Sequence, residues 1–508
     1  MSAIRPSITA FLLLAAALTP LTAADKEAAP APLTPDTTVE GLYKSVIQFH
    51  DVFPEELSSI RGPDADRLAA STEQIIVACE KYLIQSSGKP REEIGTVEYI
   101  SARFLHSISE RKREEFLRRK QAGQLQGGPE NQNEFMMLFF KDVKTRALSA
   151  REKLPVEHRY SPKLDRLLGD VCFFRQEHAE AKKHYKLFLE RYPDHAAADM
   201  MELALAKTHL ELMEYDEGIE VCEKAMKKYY KSRSYPYFNE VRWKLFHGKG
   251  DLDGMLRSIE TAETAFPLKL SNISLAQAER DFYELLLDFQ GFRRGYTLFA
   301  KGDFKGAREA FEKHVRAIEA KAGATPVKPG GTSGLNPAAS VYKSRSDANL
   351  MFLEHCAGLP PPVDFELGQS WATPKKVLLR ESRGKAVAIV FRALGDVRAG
   401  PFLGQLAQFC HSRPDMEIVT IAYLKQGTSP DQQKDELLED LAKYGYDGAA
   451  GFDPDVDGRT IFGRFKVKVG SATLVVANKR GELVWFQEDP KASDVRFAMI
   501  LLQRIASH

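Results

Sequence analysis

The chain has 508 residues, 28% of them charged, and a formal net charge of +1. That balance excludes an electrostatic case for nucleic acid or for an acidic membrane surface. The length suits two or three domains, long enough to bury sizeable cores.

Residues 1–24 read as a secretory signal peptide. Arg5 supplies a basic start, Ile8 to Leu18 is an apolar run too short to span a bilayer, and Thr22, Ala23 and Ala24 are small enough for cleavage. A short membrane anchor or buried helix is the alternative reading. Residues 25–38, with the Pro/Ala run Ala28 to Pro35, form an expected disordered tether. No later stretch is apolar enough to cross a membrane, so the expected place is exported, periplasmic or attached to the cell envelope.

From Val39 to about Leu359 apolar residues recur at three- and four-residue spacing, the mark of helix after helix. Pro and Gly punctuate the run at Arg61-Gly62-Pro63, Gly127-Gly128-Pro129 and Pro193. Residues 39–155 form a helical N-terminal region and 156–358 a set of helical repeats. Between Leu164 and Pro193 the order is Leu168-Gly169, Cys172, Ala181, Tyr185, Pro193. Small residues sit where two antiparallel helices approach, Leu168 and Tyr185 fill the seam, and proline stops the second helix. This unit resembles a tetratricopeptide repeat. A second copy carries Leu205-Ala206, Gly218, Cys222 and Ala225; a third has Gly254 and is expected to end at Pro267; a fourth has Gly295, Ala307 and Phe311.

The resemblance implies stacked helical hairpins and a concave groove lined by the first helix of each pair. Carrying the register along places Arg166, Asp170, Phe173, Lys207, Leu210, Trp243, Phe246, Phe292, Tyr296 and Phe299 in that groove. The set is mostly aromatic and suits an apolar or aromatic-bearing peptide or protein segment. Burial of about half of these aromatics in the core is the competing reading. A Gly/Pro-rich loop, Ala322 to Pro337, then a helix, Ala339 to Ala357, lead to the proline run ending at Pro362, the best domain boundary.

Residues 361–508 alternate strands and helices. Expected strands are Lys376 to Leu379, Ala386 to Phe391, Ile418 to Tyr423, Ser471 to Ala477 and Glu482 to Phe486, the last two joined by the turn Asn478 to Gly481. Expected helices are Phe402 to Ser412, Asp431 to Tyr444 and Ser493 to Ala506. The fold class is therefore multidomain: an all-α helical repeat followed by an α/β domain. Arg383-Gly384-Lys385, Phe391-Arg392-Ala393, Asp453 to Gly458 with Phe462 to Phe465, and Thr473 to Val476 together resemble the redoxin branch of the thioredoxin fold.

That resemblance implies redox cysteines at Asp396 and Ala399, and a cis-proline at Ser471. None of the three residues is the expected one, so the domain reads as degenerate: it lacks the nucleophile of disulfide exchange or peroxide attack. A trans bond is expected at Ser471. The five cysteines, Cys79, Cys172, Cys222, Cys356 and Cys410, read as buried free thiols, with a Cys172–Cys222 bridge left open. Cys410 lies about three helical turns from the active-site end. Asp453, Asp455 and Asp457 mimic the start of a calcium loop, but Arg464 stands where its closing glutamate belongs.

No cofactor and no metal are expected. The expected function is an exported protein-interaction scaffold or adaptor of the cell envelope. The alternative is a thiol-disulfide oxidoreductase or redoxin enzyme using a non-standard site.

Overall fold

Helices make most of the chain, and their junctions repeat one backbone device. The computed structural model describes residues 38–52, 63–124, 129, 131–271, 275, 277–324, 337–358, 371–375, 377, 381–394, 396, 399–423, 430–453, 465, 467 and 472–507. The signal peptide, the tether up to residue 37, the proline run at 360–362, the calcium-like turn beyond Asp453 and Ser471 lie outside them. The chain divides into two units between Arg242 and Trp243.

The first unit holds α1 (Val39–Val52), α2 (Pro63–Gln85), α3 (Arg91–Ser107), α4 (Ser109–Gln121), α5 (Gln132–Lys153), α6 (Ser161–Phe174), α7 (His178–Arg191), α8 (Ala198–Glu211) and α9 (Tyr215–Lys228). Asn131 starts α5 by accepting from the Glu134 amide at 3.0 Å, which satisfies one of the unpaired N–H groups of a helix start. Val46, Cys79, Phe104, Val143, Leu164 and Leu168 belong to one buried cluster spanning α1 to α6. Cys172, Tyr185, Phe188 and Met201 form a second across α6, α7 and α8.

The α6–α7 hairpin closes as its sequence suggests. A Cβ built on Gly169 would lie 2.5 Å from the Tyr185 ring, so only glycine lets the helices approach this closely. Gly295 and Phe311, at the same separation in α12 and α13, repeat the arrangement at 2.6 Å. In the α8–α9 hairpin the corresponding pair is Ala206 and Cys222, both fully buried.

The turns between the paired helices also repeat. Gln176, Met213, Gly250 and Gly302 all have positive φ, at 61°, 60°, 75° and 81°. At each, two amides return to carbonyls of the first helix: Glu177 to Cys172, Glu214 to His209, Asp251 to Phe246 and Asp303 to Leu298 make the longer bonds. This is the Schellman closure, which pairs the otherwise orphaned carbonyls of a helix end. Gln and Met at two of these positions hide the signal that glycine shows at the others.

The second unit begins within α10 (Tyr235–Lys249) and continues through α11 (Leu252–Leu270), α12 (Gln277–Ala300), α13 (Phe304–Ala324) and α14 (Pro337–His355). Pro267 was expected to end the third repeat. Instead α11 runs through it to Leu270. The proline falls in the last turn, where its carbonyl still accepts from the Ser271 amide at 3.0 Å.

The same unit contains a five-stranded mixed sheet: β1 (Ala386–Ala393), β2 (Met416–Tyr423), β3 (Ala449–Asp453), β4 (Thr473–Ala477) and β5 (Leu483–Glu488), in the order β3-β2-β1-β4-β5. β1 runs parallel to β2 with Val390 opposite Thr420, and antiparallel to β4 with Ile389 opposite Val475. β2 runs parallel to β3, and β4 antiparallel to β5. Three helices accompany it: α15 (Gly400–His411), α16 (Pro430–Lys443) and α17 (Ala492–Ser507).

β3 is absent from the sequence reading. Its residues, Ala-Ala-Gly-Phe-Asp, carry no β-branched side chain, yet all five are buried in a parallel strand. Conversely, the strand expected at Lys376 to Leu379 is described only at Val377, which lies in no strand. Trp371 instead forms an isolated antiparallel bridge to Gly451.

A Gly169→Ala variant is expected to lose about 1–3 kcal/mol of stability, because the methyl must displace a ring already tied down. The Tyr185 hydroxyl donates to Asp170 at 2.8 Å and cannot swing away freely. An unchanged urea midpoint would refute the close approach.

Candidate functional site

The expected groove residues separate into two groups. In the first unit, Arg166, Asp170 and Phe173 line α6, and Lys207 and Leu210 line α8; all five are half-buried. The Arg166 Nε stands 3.5 Å from Asp170 Oδ2, one helical turn away. Asp170 also accepts from Tyr185, so one carboxylate ties Arg166 to the seam between α6 and α7. The Phe173 ring packs edge-on to His178 at 5.1 Å.

Sequence reasoning missed an aromatic floor beside these residues. Phe140 of α5 stacks on Phe174 of α6, with centroids 5.2 Å apart and planes 6° apart. His106 of α3 joins them at 6.0 and 5.7 Å. Burial pulls its pKa below the ordinary value, with Asp170 opposing and Arg166 assisting. The run Phe135-Met136-Met137-Leu138-Phe139-Phe140 was the available signal. Phe135 and Phe139 stay partly exposed at its edge.

In the second unit the outcome differs. Trp243 is half-buried, but Phe246, Phe292, Tyr296 and Phe299 are buried, at 4, 6, 3 and 0% exposure. Their expected place on an open groove face gives way to burial. The Tyr296 ring lies 5.9 Å from Trp485 of β5 and 5.4 Å from Phe497 of α17. His247 stacks on Phe497 at 4.5 Å and meets the Tyr296 hydroxyl at 3.2 Å. Phe299 packs on Phe352, which stacks on Phe486 at 4.8 Å. A Cβ on Gly250 would fall 2.5 Å from Ile500. The aromatic faces of α10, α12 and α14 are thus covered by β5 and α17 of the same unit, because exposed rings of this size need apolar cover.

Asp396 and Ala399, the positions expected for redox cysteines, lie in a short turn at the head of α15. Asp396 is half-buried; its amide donates to the Ala393 carbonyl, and the Ala399 amide donates to the Asp396 carbonyl, each at 3.2 Å. Ala399 is fully buried and stands at the N-cap of α15. The position where a helix N-terminus would activate a thiol therefore holds a methyl group. Ser471 and Arg398 lie outside the described residues.

The cysteines are free and buried. Burial pushes the Cys172 thiol up to about 11 and Cys410 up to about 12, and raises Cys79 and Cys222 well above the ordinary value. Cys410 occupies the far end of α15, next to its last residue, His411. Near the head of that helix, Arg392 is fully buried and pairs with Asp440 of α16. Among the described residues no three His, Cys, Asp or Glu side chains are grouped to hold a metal ion. Nor, among them, is any helix long and apolar enough to cross a membrane.

Residues 168–195 match the tetratricopeptide repeat family. No curated protein matches the chain. Similar solved structures include a secreted Mycobacterium tuberculosis disulfide oxidoreductase homologous to E. coli DsbE, at 17% identity over 25% of this chain and 92% of that one, TM-score 0.21. The bacterioferritin comigratory protein of Xanthomonas campestris is 12% identical over 27% of this chain and 90% of its own, TM-score 0.20. The TPR-like repeats of a Podosopora anserina kinesin light chain are 12% identical over 58% of this chain and 100% of that one, TM-score 0.26.

Thiol-specific reagent at pH 8 is expected to label none of the five cysteines in the native protein and all five in urea. Fast labelling of Cys410 in the native state would reopen a redox role. Acid is expected to destabilise the fold. Burial holds His50 and His247 at about 4, below the ordinary 6.5, so both rings stay neutral in the folded state. The unfolded chain takes up their protons first. Stability is full above pH 6.5 and falls by up to about 1.4 kcal/mol per pH unit per histidine as pH drops toward 4. A urea midpoint that stays level over that window would contradict this.

Proposed function

We propose that this protein is an exported protein-interaction scaffold or adaptor of the cell envelope. The observation that carries the reading is the repeat match at residues 168–195, with half-buried Arg166, Asp170, Phe173, Lys207 and Leu210 on the first helices of two consecutive hairpins. Stacked hairpins of this kind leave side chains of their first helices accessible for a bound segment. Phe173, Leu210 and the neighbouring Phe135 and Phe139 favour an apolar or aromatic-bearing peptide, with Lys207 and Arg166 as polar flanks. Export rests on the Arg5 start, the apolar run Ile8 to Leu18 and the small residues Thr22 to Ala24.

In this reading the α/β part is a thioredoxin-type domain without thiol chemistry. Its parallel β2-β1 pair, its antiparallel β4-β5 hairpin and its closing helix α17 support that assignment. Ala399 at the head of α15 and the elevated Cys410 thiol support the absence of turnover.

A photo-crosslinking residue placed at Phe173 or Lys207 is expected to trap a discrete partner in living cells. The same residue at exposed Lys224 on α9 should trap none. Equal yields at the two places would remove the groove. Full-length protein is expected to show no insulin-disulfide reduction; turnover abolished by Cys410→Ala would establish the oxidoreductase reading instead.

A further inference from the structure

We propose that the first unit takes an acidic peptide segment with apolar or aromatic anchors across α4 and α5, on a strip of phenylalanine rings bordered by Arg119 and Lys141. The inference rests on the scaffold reading and deepens it by naming the partner's charge.

Ring contacts define the strip. Phe116 of α4 stacks on Phe135 of α5, with centroids 4.6 Å apart and planes 14° apart. Phe135 lies 6.3 Å from Phe139, and Phe139 lies 5.8 Å from Phe140, whose ring meets Phe174 of α6. Phe116 and Phe140 are buried. Phe135 and Phe139 stay half-buried, and Leu138 between them is 53% exposed. The buried rings fix the outer ones from behind, so little ordering is left for a ligand to impose. Apolar side chains held at the surface beside charge are the usual mark of an interaction site.

The charge beside the strip is specific. Helix periodicity puts Arg119 one turn from Phe116 on α4, and Lys141 one turn from Leu138 on α5. Both are exposed, and neither makes an ion pair among the described residues. Neighbouring charges are already engaged. Lys112 pairs with Glu73 at 2.9 Å and Glu115 at 3.1 Å, Arg113 with Glu110 at 2.6 Å, and Asp142 with Arg146 at 3.2 Å. A partner complementary to Arg119 and Lys141 carries carboxylates next to its apolar anchors. A lipid surface fits less well, because recruitment by anionic headgroups takes clusters of about 4–8 cations.

The test uses the full chain and a fluorescein-labelled peptide, Gly-Glu-Glu-Phe-Leu-Glu-Glu-Phe-Gly, read by anisotropy. Wild type is expected to bind it, with affinity falling as salt rises. R119Q/K141Q should weaken binding at least about fivefold, whereas R119K/K141R, which keeps the charges, should retain it. Leu138→Ser, at an exposed position, should weaken binding at least about threefold with an unchanged urea midpoint. Lys183→Gln, on α7, should change nothing. Absence of binding by wild type, equal binding by R119Q/K141Q, or displacement of the peptide by phosphatidylglycerol vesicles each overturns the assignment. Equal affinity for the same peptide with Gln in place of Glu overturns the acidic partner and leaves the apolar groove standing. Crosslinking at Phe173 and Lys207 tests that groove separately.

Discussion

The second unit depends on the burial of one aromatic face. Tyr296, His247, Phe299 and Phe352 project from three helices and would form an apolar patch if left bare. Trp485, Phe486 and Phe497 cover them, and the tilted and stacked ring pairs add about 0.5–1.5 kcal/mol each beyond the area removed from water. The sheet and the helices preceding it therefore share a core. Gly250 records the same constraint from the backbone side, since any side chain there meets Ile500.

The first unit rests on a different device. A small residue on one helix faces a large or sulfur-bearing one on the next, and the turn between them closes with a left-handed residue. Where the small residue is glycine, as at Gly169, the partner ring lies in the space a Cβ would take. These choices set the spacing of α6, α7, α8 and α9, and they leave Phe173, Lys207 and Leu210 half-buried where the first helices face outward. Exposure here follows from packing: residues in the seam, such as Tyr185, are buried, and Phe173, Lys207 and Leu210 beside it stay half-buried.

Thiol chemistry is disfavoured twice. The α15 head carries no sulfur, and the one cysteine of that helix lies at its opposite end, buried and hard to ionise. A thiolate needs solvent or a nearby positive field; Cys410 has burial acting against it, and Lys375 and Arg413 only partly offset this.

Much of this was legible in the residues. The helical period, the hairpin pairs Gly169–Tyr185 and Gly295–Phe311 and the order of most strands all depend on local spacing or identity, which a linear chain displays. The strand Ala449–Asp453 was not legible, because small residues gain strand character only between neighbours that bury them. The left-handed Gln176 and Met213 were hidden because tertiary context imposed a conformation that their side chains do not advertise. Repeat register alone also treated Phe173 and Tyr296 alike. Which one stays reachable and which is covered by Trp485 and Phe497 was decided by contacts between residues far apart in the chain, and periodicity carries no record of those.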